Sequence, residues 1–177
     1  KTGAQAVEAE VIAVDRLSDT SFRLRVKPAV TPDFLPGQYV NVSIPGTSEG
    51  RSYSFSSYPK SEEASFRIRN VPGGKMSTYL GERAQPGDKL ELTGPMGAFY
   101  LRPVTKPLLF LAGGTGLAPF LSMLELLAVS DAGQPIRMFY AVTRDSDLVE
   151  LDRLHELAAK LPNLTLHTIV ADAESTH

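Results

Sequence analysis

A six-stranded antiparallel Greek-key β-barrel followed by a doubly wound parallel α/β sheet is the architecture this sequence predicts, and three observations predict it. From 7 to 101, apolar and polar residues alternate in short runs separated by Pro/Gly turns, with no sustained helical period. After Pro103 and Pro107 the pattern shifts to longer apolar runs alternating with segments of helical period. The order strand, helix, strand, helix, strand in this second part is that of a parallel sheet whose crossovers are helices.

Each element follows from its residues. Phe22, Leu24 and Val26 face one way and Arg23 and Arg25 the other, because successive strand side chains point to opposite faces. Val40, Val42 and Ile44 repeat the pattern, Phe66 and Ile68 alternate with Arg67 and Arg69, and Leu90 and Leu92 supply a further half-buried strand. Pro36-Gly37, Pro45-Gly46, Pro72-Gly73-Gly74, Pro86-Gly87 and Gly94-Pro95 punctuate these runs, and short strands at that spacing suit a small barrel. The second part opens with an apolar strand over 108–112 that runs into a Gly-rich turn and then a helix. In that helix Leu117, Phe120, Leu121 and Leu124 form one buried stripe, and Pro119 sits in the first turn, where its missing N–H costs little. A strand over 136–142 follows, then a helix with Leu154, Leu157, Ala158 and Leu161 on one face, then a strand over 164–170. Asp147 with Glu150 reads as a capping pair at the start of that last helix. The boundary is placed so that 1–103 form the barrel and 104–177 the α/β domain. Roughly 70 residues is short of the about 100 that an independent domain usually needs, so the second domain reads as incomplete at its C-terminal side.

Composition removes several classes of function. The chain has 177 residues, 42% of them hydrophobic, which is enough for a packed core. Its formal charge of -2 carries no basic field that would attract nucleic acid. It has no cysteine, so disulfides, thiolate-ligated clusters and Cys-type zinc sites are excluded within it. The histidines His155, His167 and His177 lack metal-ligand spacing, and no metal site is expected. No apolar run approaches the roughly 20 residues that cross a bilayer, and the first ten residues lack the apolar stretch of a signal peptide. A cytoplasmic protein is the expectation.

Three segments carry chemistry. The first is Arg51-Ser52-Tyr53-Ser54, a strand-like run in which Arg51 and Tyr53 share a face. A guanidinium offers a diphosphate a bidentate fork, and a tyrosine ring offers a flat partner to a fused heterocycle. The same residues also suit an ordinary edge strand with an exposed arginine and a packed tyrosine. The second is Gly73-Gly74-Lys75-Met76-Ser77, a glycine turn opening a short helix, whose free amides form an anion site to which Ser77 adds a hydroxyl. A plain N-capped helix after a Pro-Gly turn is the alternative. The third is Gly113-Gly114-Thr115-Gly116, between the first parallel strand and its helix, where open α/β sheets bind nucleotides. It departs from the G-x-G-x-x-G fingerprint, and a plain tight turn is its alternative.

In this order and spacing, R-S-Y-S, G-K-M-S and A-G-G-T-G-L-A-P-F resemble the ferredoxin–NADP⁺ reductase superfamily. P-G-Q-Y-V from position 36 and G-P-M-G-A-F from position 94 extend the likeness over nearly the whole chain. V-P-G-G-K-M-S-T-Y-L and Y-A-V-T-R-D-S-D-L-V-E-L-D-R-L are most similar to reductase components of aromatic-ring-hydroxylating dioxygenases of the benzoate, toluate and anthranilate type. The resemblance implies that FAD is held by Arg51, Ser52, Tyr53 and Ser54, by the backbone at Ile68 and Arg69, and by the turn of Gly74, Lys75, Met76 and Ser77. It implies that Gly113, Gly114, Thr115 and Gly116 face the nicotinamide dinucleotide, with Ser54 and Thr115 nearest the reacting rings. Ala171 and Asp172 stand where NADP-using relatives carry a Ser-Arg pair, and a carboxylate there disfavours a 2′-phosphate, so NADH is the expected reductant. A solvated loop acid is the other reading of Asp172.

The function implied is transfer of a hydride from NADH to FAD and of single electrons onward to a 2Fe–2S centre. Relatives ligate that centre through cysteines, so it belongs to a ferredoxin domain or an oxygenase component outside these residues. The C-terminal Cys-Gly-Pro-Pro-like segment that positions nicotinamide in relatives is also absent from the sequence. A flavin-binding electron-transfer subunit or docking module without NADH oxidation of its own is the competing reading, and a non-redox barrel that ignores FAD is a third.

Overall fold

The computed structural model describes residues 5–172. Six strands form the first sheet: β1 (Ala6–Ser18), β2 (Ser21–Pro28), β3 (Tyr39–Ser43), β4 (Gly50–Ser54), β5 (Ala64–Arg69) and β6 (Lys89–Met96). All ladder pairs are antiparallel and the order is β4-β3-β6-β1-β2-β5, so β6 returns between β3 and β1 in Greek-key fashion. A single bridge between Phe55 and Phe66 draws the two edge strands together and closes the barrel at one end. Phe34 stacks on Phe55 with ring centroids 3.7 Å apart, and these rings join Leu24, Val40, Val42, Ile68, Leu90 and Leu92 in one buried core.

Between β5 and β6 lies α1 (Lys75–Thr78), a single turn that continues as a wider helical turn over Tyr79–Arg83. Leu80 and Met76 plug it into the barrel core. The link from β6 to the second sheet passes over Gly37, which has φ +113 and leaves room for a close backbone approach. A Cβ at that position would lie 2.5 Å from the carbonyl oxygen of Phe99 and 3.0 Å from Met123 Cε, so only glycine admits the chain there. The Pro-Gly pair read as turn punctuation is also a packing site.

The second sheet is parallel, in the order β7 (Leu108–Gly113), β8 (Ile136–Val142), β9 (Leu164–Val170), with in-register pairs such as Phe110 with Met138 and Met138 with Leu166. The β8 and β9 bounds coincide with those predicted from the apolar runs. Two helices cross between the strands, α2 (Ala118–Leu127) and α3 (Leu151–Lys160). Their Leu121, Leu124, Leu154 and Leu157 meet Phe110, Met138 and Tyr140 in a second core. Leu109, Leu111 and Ile169, on the other face of the sheet, are exposed.

One local expectation is corrected. Asp147 and Glu150 do not cap α3: Glu150 precedes the helix in a left-handed conformation, φ +67, and no side chain caps the helix start. Long-range partners claim both carboxylates. Asp147 accepts from Thr20 Oγ1 at 2.9 Å and from Arg144, while Glu150 accepts from Arg23 on the barrel.

Candidate functional site

Beyond the Phe55–Phe66 bridge the antiparallel register would set Tyr53 opposite Ile68, yet among the described residues no ladder continues there. The two strands are the free edges of the sheet there. Arg51, Ser52, Tyr53 and Ser54 lie on one edge strand; Ile68 and Arg69 lie on the other. Register fixes the side chains: Arg51 pairs with Val42 and Tyr53 with Val40, so both face as those core valines do. Tyr53 packs partly into the core, and burial pushes its hydroxyl up to about 12, against a smaller opposing pull from the Arg51 guanidinium. Arg51 is exposed, and its Nη1 donates to the Gly50 carbonyl at 2.8 Å. Ile68 is wholly buried, so its side chain is closed to any ligand; Arg69 is exposed.

After β5, α1 presents the amides of Lys75, Met76 and Ser77, which precede the first intrahelical bond, Thr78 N–H to Gly74 C=O at 3.0 Å. Lys75 Nζ lies 3.1 Å from Glu49 Oε1, which ties this turn to the residue that leads into β4. Met76 is a core side chain, 2% exposed. The Ser77 hydroxyl differs from its expected role. It accepts from the Val71 amide at 3.1 Å and donates to the Val71 carbonyl at 3.0 Å, closing the glycine loop on itself. Its backbone amide, not its hydroxyl, is what the turn offers an anion. With four residues α1 has little macrodipole, so the local amides carry any attraction.

The third segment lies in a cleft of about 780 Å³ between the barrel and the carboxyl ends of β7 and β8. Gly113, Gly114 and Thr115 form one wall, with Thr143 and Arg144 from the end of β8 beside them; Thr20, Ser21, Arg67 and Arg69 form the barrel wall. Gly114 takes φ +56, the left-handed turn that lifts the chain from β7 into Gly114–Leu117 and then α2. Gly116 has open space about its Cα. Asp172 donates its backbone N–H to the Thr143 carbonyl at 3.1 Å, which places it beside the end of β8.

The arrangement is a pair of free barrel edges, a helix start with three amides ahead of its first intrahelical bond, and a cleft at a parallel sheet's carboxyl edge. Comparison with known proteins agrees with it. The family model described as an oxidoreductase FAD-binding domain matches residues 8–100, more than half of the chain, and that of an oxidoreductase NAD-binding domain matches 110–177. The chain belongs to the FAD- and NAD-binding oxidoreductases. Among members of this family, the toluate 1,2-dioxygenase electron transfer component of Pseudomonas putida is 47% identical across 100% of the chain, which spans 53% of that relative. The 2-halobenzoate 1,2-dioxygenase electron transfer component of Burkholderia cepacia is 47% identical over 94% of the chain and 50% of its own length. The chain thus spans about half the length of these curated relatives. A ferredoxin reductase in carbazole 1,9a-dioxygenase superposes with a TM-score of 0.83 at 28% identity, over 98% of this chain and 53% of that one. Ferredoxin-NADP+ reductase from Plasmodium falciparum shares the fold, with a TM-score of 0.84 at 22% identity over 97% and 73%.

Both cofactor groups named by the family fit the residues present. An exposed guanidinium and three orphan amides suit one diphosphate, and the glycine turn with arginines across the cleft suits another. Sequence reasoning missed the residues that join the two halves of this oxidoreductase. Arg23 Nη2 lies 2.6 Å from Glu150 Oε1, Ser122 Oγ donates to the Ser57 carbonyl at 2.8 Å, and Arg153 donates to the Ser56 carbonyl. Arg23 had been readable only as the polar face of a strand, and nothing local marked its partner.

Proposed function

We propose that this chain is the flavin-and-nicotinamide core of an electron-transfer reductase, carrying reducing equivalents from NADH through FAD to a 2Fe–2S centre that serves a ring-hydroxylating dioxygenase. The observation that carries this reading is the cleft in which the Gly113-Gly114-Thr115 turn faces the barrel residues Arg67 and Arg69, next to the open edge of β5. Bound FAD supplies the exchange between two-electron and one-electron chemistry. The chain's own residues bind and orient. Arg51 and the amides of Lys75, Met76 and Ser77 would hold the flavin diphosphate, Tyr53 would pack against the flavin, and the Ser54 hydroxyl would donate a hydrogen bond to its ring. Thr115, which lines the cleft, would lie between the two cofactors, and Gly113, Gly114 and Gly116 would let the dinucleotide approach the backbone. Asp172, beside Thr143, accepts from a ribose hydroxyl and repels a 2′-phosphate, which selects NADH.

With no cysteine in these 177 residues, ligands for the iron–sulfur centre come from a ferredoxin domain or an oxygenase component elsewhere. The electron-transfer role of the toluate and halobenzoate dioxygenase relatives supports this partner class. No helix among the described residues is long and apolar enough to cross a membrane. A cytoplasmic place of action goes with NADH as the reductant. The test is anaerobic bleaching of the flavin band. Bleaching by NADH well below the concentration needed with NADPH supports the proposal. Bleaching by dithionite alone assigns the chain to a flavin-binding electron-transfer or docking module, and a colourless protein that takes up no FAD removes the reading altogether.

A further inference from the structure

The two halves meet along a buried polar seam that none of the cofactor roles uses. Past Ser54 the chain leaves β3 and crosses to β5: Phe55 bridges Phe66, and the Ser56 N–H donates to the Ser65 carbonyl at 2.8 Å. The hydroxyls of Ser56 and Ser65 lie 2.7 Å apart, and the Ser65 N–H donates to Ser57 Oγ at 3.1 Å. The barrel thus holds this segment by an amide and by side chains, while the α/β half holds its carbonyls. Ser122 Oγ on α2 donates to the Ser57 carbonyl at 2.8 Å, and Arg153 Nη2 on α3 donates to that of Ser56. Ser56, Ser57, Ser65 and Ser122 are all buried, so a carbonyl that lost its donor here would have no water to replace it. Arg153 also reaches beyond the barrel. Its Nε and Nη2 each lie 3.3 Å from Glu125 Oε1 of α2, and Nη1 lies 3.8 Å from Glu150 Oε2, just ahead of α3. One planar guanidinium fixes both helices and the barrel carbonyl relative to one another, which a point charge cannot do.

Both ends of the seam run into the candidate site. Helix α2 follows directly on the Gly114–Leu117 turn, so Ser122 sits about two helical turns from Thr115, and Glu125 follows on the same face. On the barrel side Ser54 ends β4 just ahead of Phe55, Ser56 and Ser57, all buried. The glycine turn and the end of β4 are therefore joined by a short path of helix, hydrogen bond and buried backbone. We infer that Ser122 and Arg153 are positioning residues: by gripping the carbonyls of Ser57 and Ser56 they set Ser54, and the flavin it would meet, against a nucleotide at the Gly113-Gly114-Thr115 turn. Neither side chain lines the cleft, so both act through the backbone and not by touching a cofactor. Hydride transfer needs reacting atoms about 3–3.5 Å apart, and a misplacement of about 1 Å can cost roughly a hundredfold in rate. This inference deepens the proposed function and rests on it, because it requires that both cofactors use these sites.

The test compares wild type, Ser122→Ala, Arg153→Met and Arg153→Lys in the full chain loaded with FAD. Stopped-flow bleaching over a range of NADH concentrations separates the limiting rate from the apparent Kd. Flavin titration, the thermal midpoint and amide exchange over 54–57 are measured on the same samples. Ser122→Ala and Arg153→Met are each expected to lower the limiting rate by roughly tenfold or more, with FAD affinity and the apparent Kd for NADH within about threefold of wild type. Amide exchange over 54–57 becomes faster in both, because the segment loses a donor from the α/β half. Lysine, which can reach the Ser56 carbonyl but cannot fork to Glu125, recovers part of the rate. Ser122→Ala removes a single hydroxyl and decides the matter if Arg153→Met does not fold. A limiting rate within about twofold of wild type in Ser122→Ala, or in a folded Arg153→Met, overturns this inference alone even where the midpoint falls, since the seam then only glues the halves. A fall in rate matched by an equal loss of FAD overturns it as well. A wild type that binds FAD and is not bleached by NADH overturns the proposed function and this inference together.

Discussion

Replacing Arg23 by alanine is expected to destabilise the protein more than replacing Glu150 by glutamine, although both remove the same ion pair. The asymmetry comes from burial. The Glu150 side chain is 0% exposed, whereas the Arg23 side chain is 28% exposed and has a second carboxylate, Asp15, at 4.0 Å. Glu150 Oε1 accepts from Arg23 Nη2 at 2.6 Å and from Nε at 3.0 Å, while Oε2 has only the Arg153 guanidinium at 3.8 Å and no hydrogen bond. Arg23→Ala therefore leaves an almost unpaired carboxylate in the interior, at about 3–5 kcal/mol. Glu150→Gln leaves a guanidinium that water and Asp15 reach, with an amide oxygen still to accept from it, at about 1–2 kcal/mol. Glu150→Gly loses the pair but releases the left-handed strain at φ +67, worth about 1–2 kcal/mol, so it falls well below Arg23→Ala. Urea unfolding at fixed FAD, followed by circular dichroism, gives the three midpoints. Amide exchange over 145–150 reports whether the loss opens this junction first. Equal or greater destabilisation by Glu150→Gln than by Arg23→Ala would refute the argument that the buried partner sets the cost.

Two glycines should respond differently to alanine. Gly37→Ala sets a Cβ 2.5 Å from a backbone oxygen and 2.8 Å from Tyr100 Cα, neither of which can yield, so a loss of about 3 kcal/mol or more is expected. Gly114→Ala meets nothing within 4 Å and bears only its φ of +56, about 1–2 kcal/mol, so thermal melts that rank the two the other way would contradict the packing seen at Gly37. Arg51→Ala is expected to weaken FAD binding by about 1.5–3 kcal/mol, and Ser54→Ala to retain FAD while slowing its reduction by NADH. Equilibrium flavin titration and stopped-flow bleaching check these, and a Ser54→Ala rate equal to wild type would remove that role. Tyr53, raised from 10.0 to about 12 by burial, holds its proton more tightly folded than unfolded. Its contribution is therefore intact below pH 10.0 and lost as pH rises toward about 12, so Tyr53→Phe should flatten the alkaline fall in stability; an unchanged profile would speak against the burial.

Much of the fold was legible because it is written in short-range pattern. The parallel strands β8 and β9 are continuous or alternating apolar runs, and their observed bounds, Ile136–Val142 and Leu164–Val170, match the sequence reading. Strand β1 was less legible, because register shifts between Val11 and Ala13 and between Arg16 and Ser18 break the period of two along its 13 residues. In the candidate site, the shared face of Arg51 and Tyr53 followed from alternation alone. The hydroxyl of Ser77 did not, because its partner Val71 lies across a loop whose closure no periodicity records.

Residue pattern by itself determined the barrel, the parallel sheet and the glycine turns, since each depends on neighbours two to four positions away. It also set Arg23 and Arg67 apart as the polar side of their strands. Only the tertiary structure decided that this polar side is not a solvated one. The α/β half covers it, pairing Arg23 with a carboxylate 127 positions later and leaving Nε and Nη1 of Arg67 buried without a hydrogen-bond partner among the described residues. Local preference reports which face of a strand is turned from its own core, while the charge and burial of that face depend on what distant chain comes to lie against it.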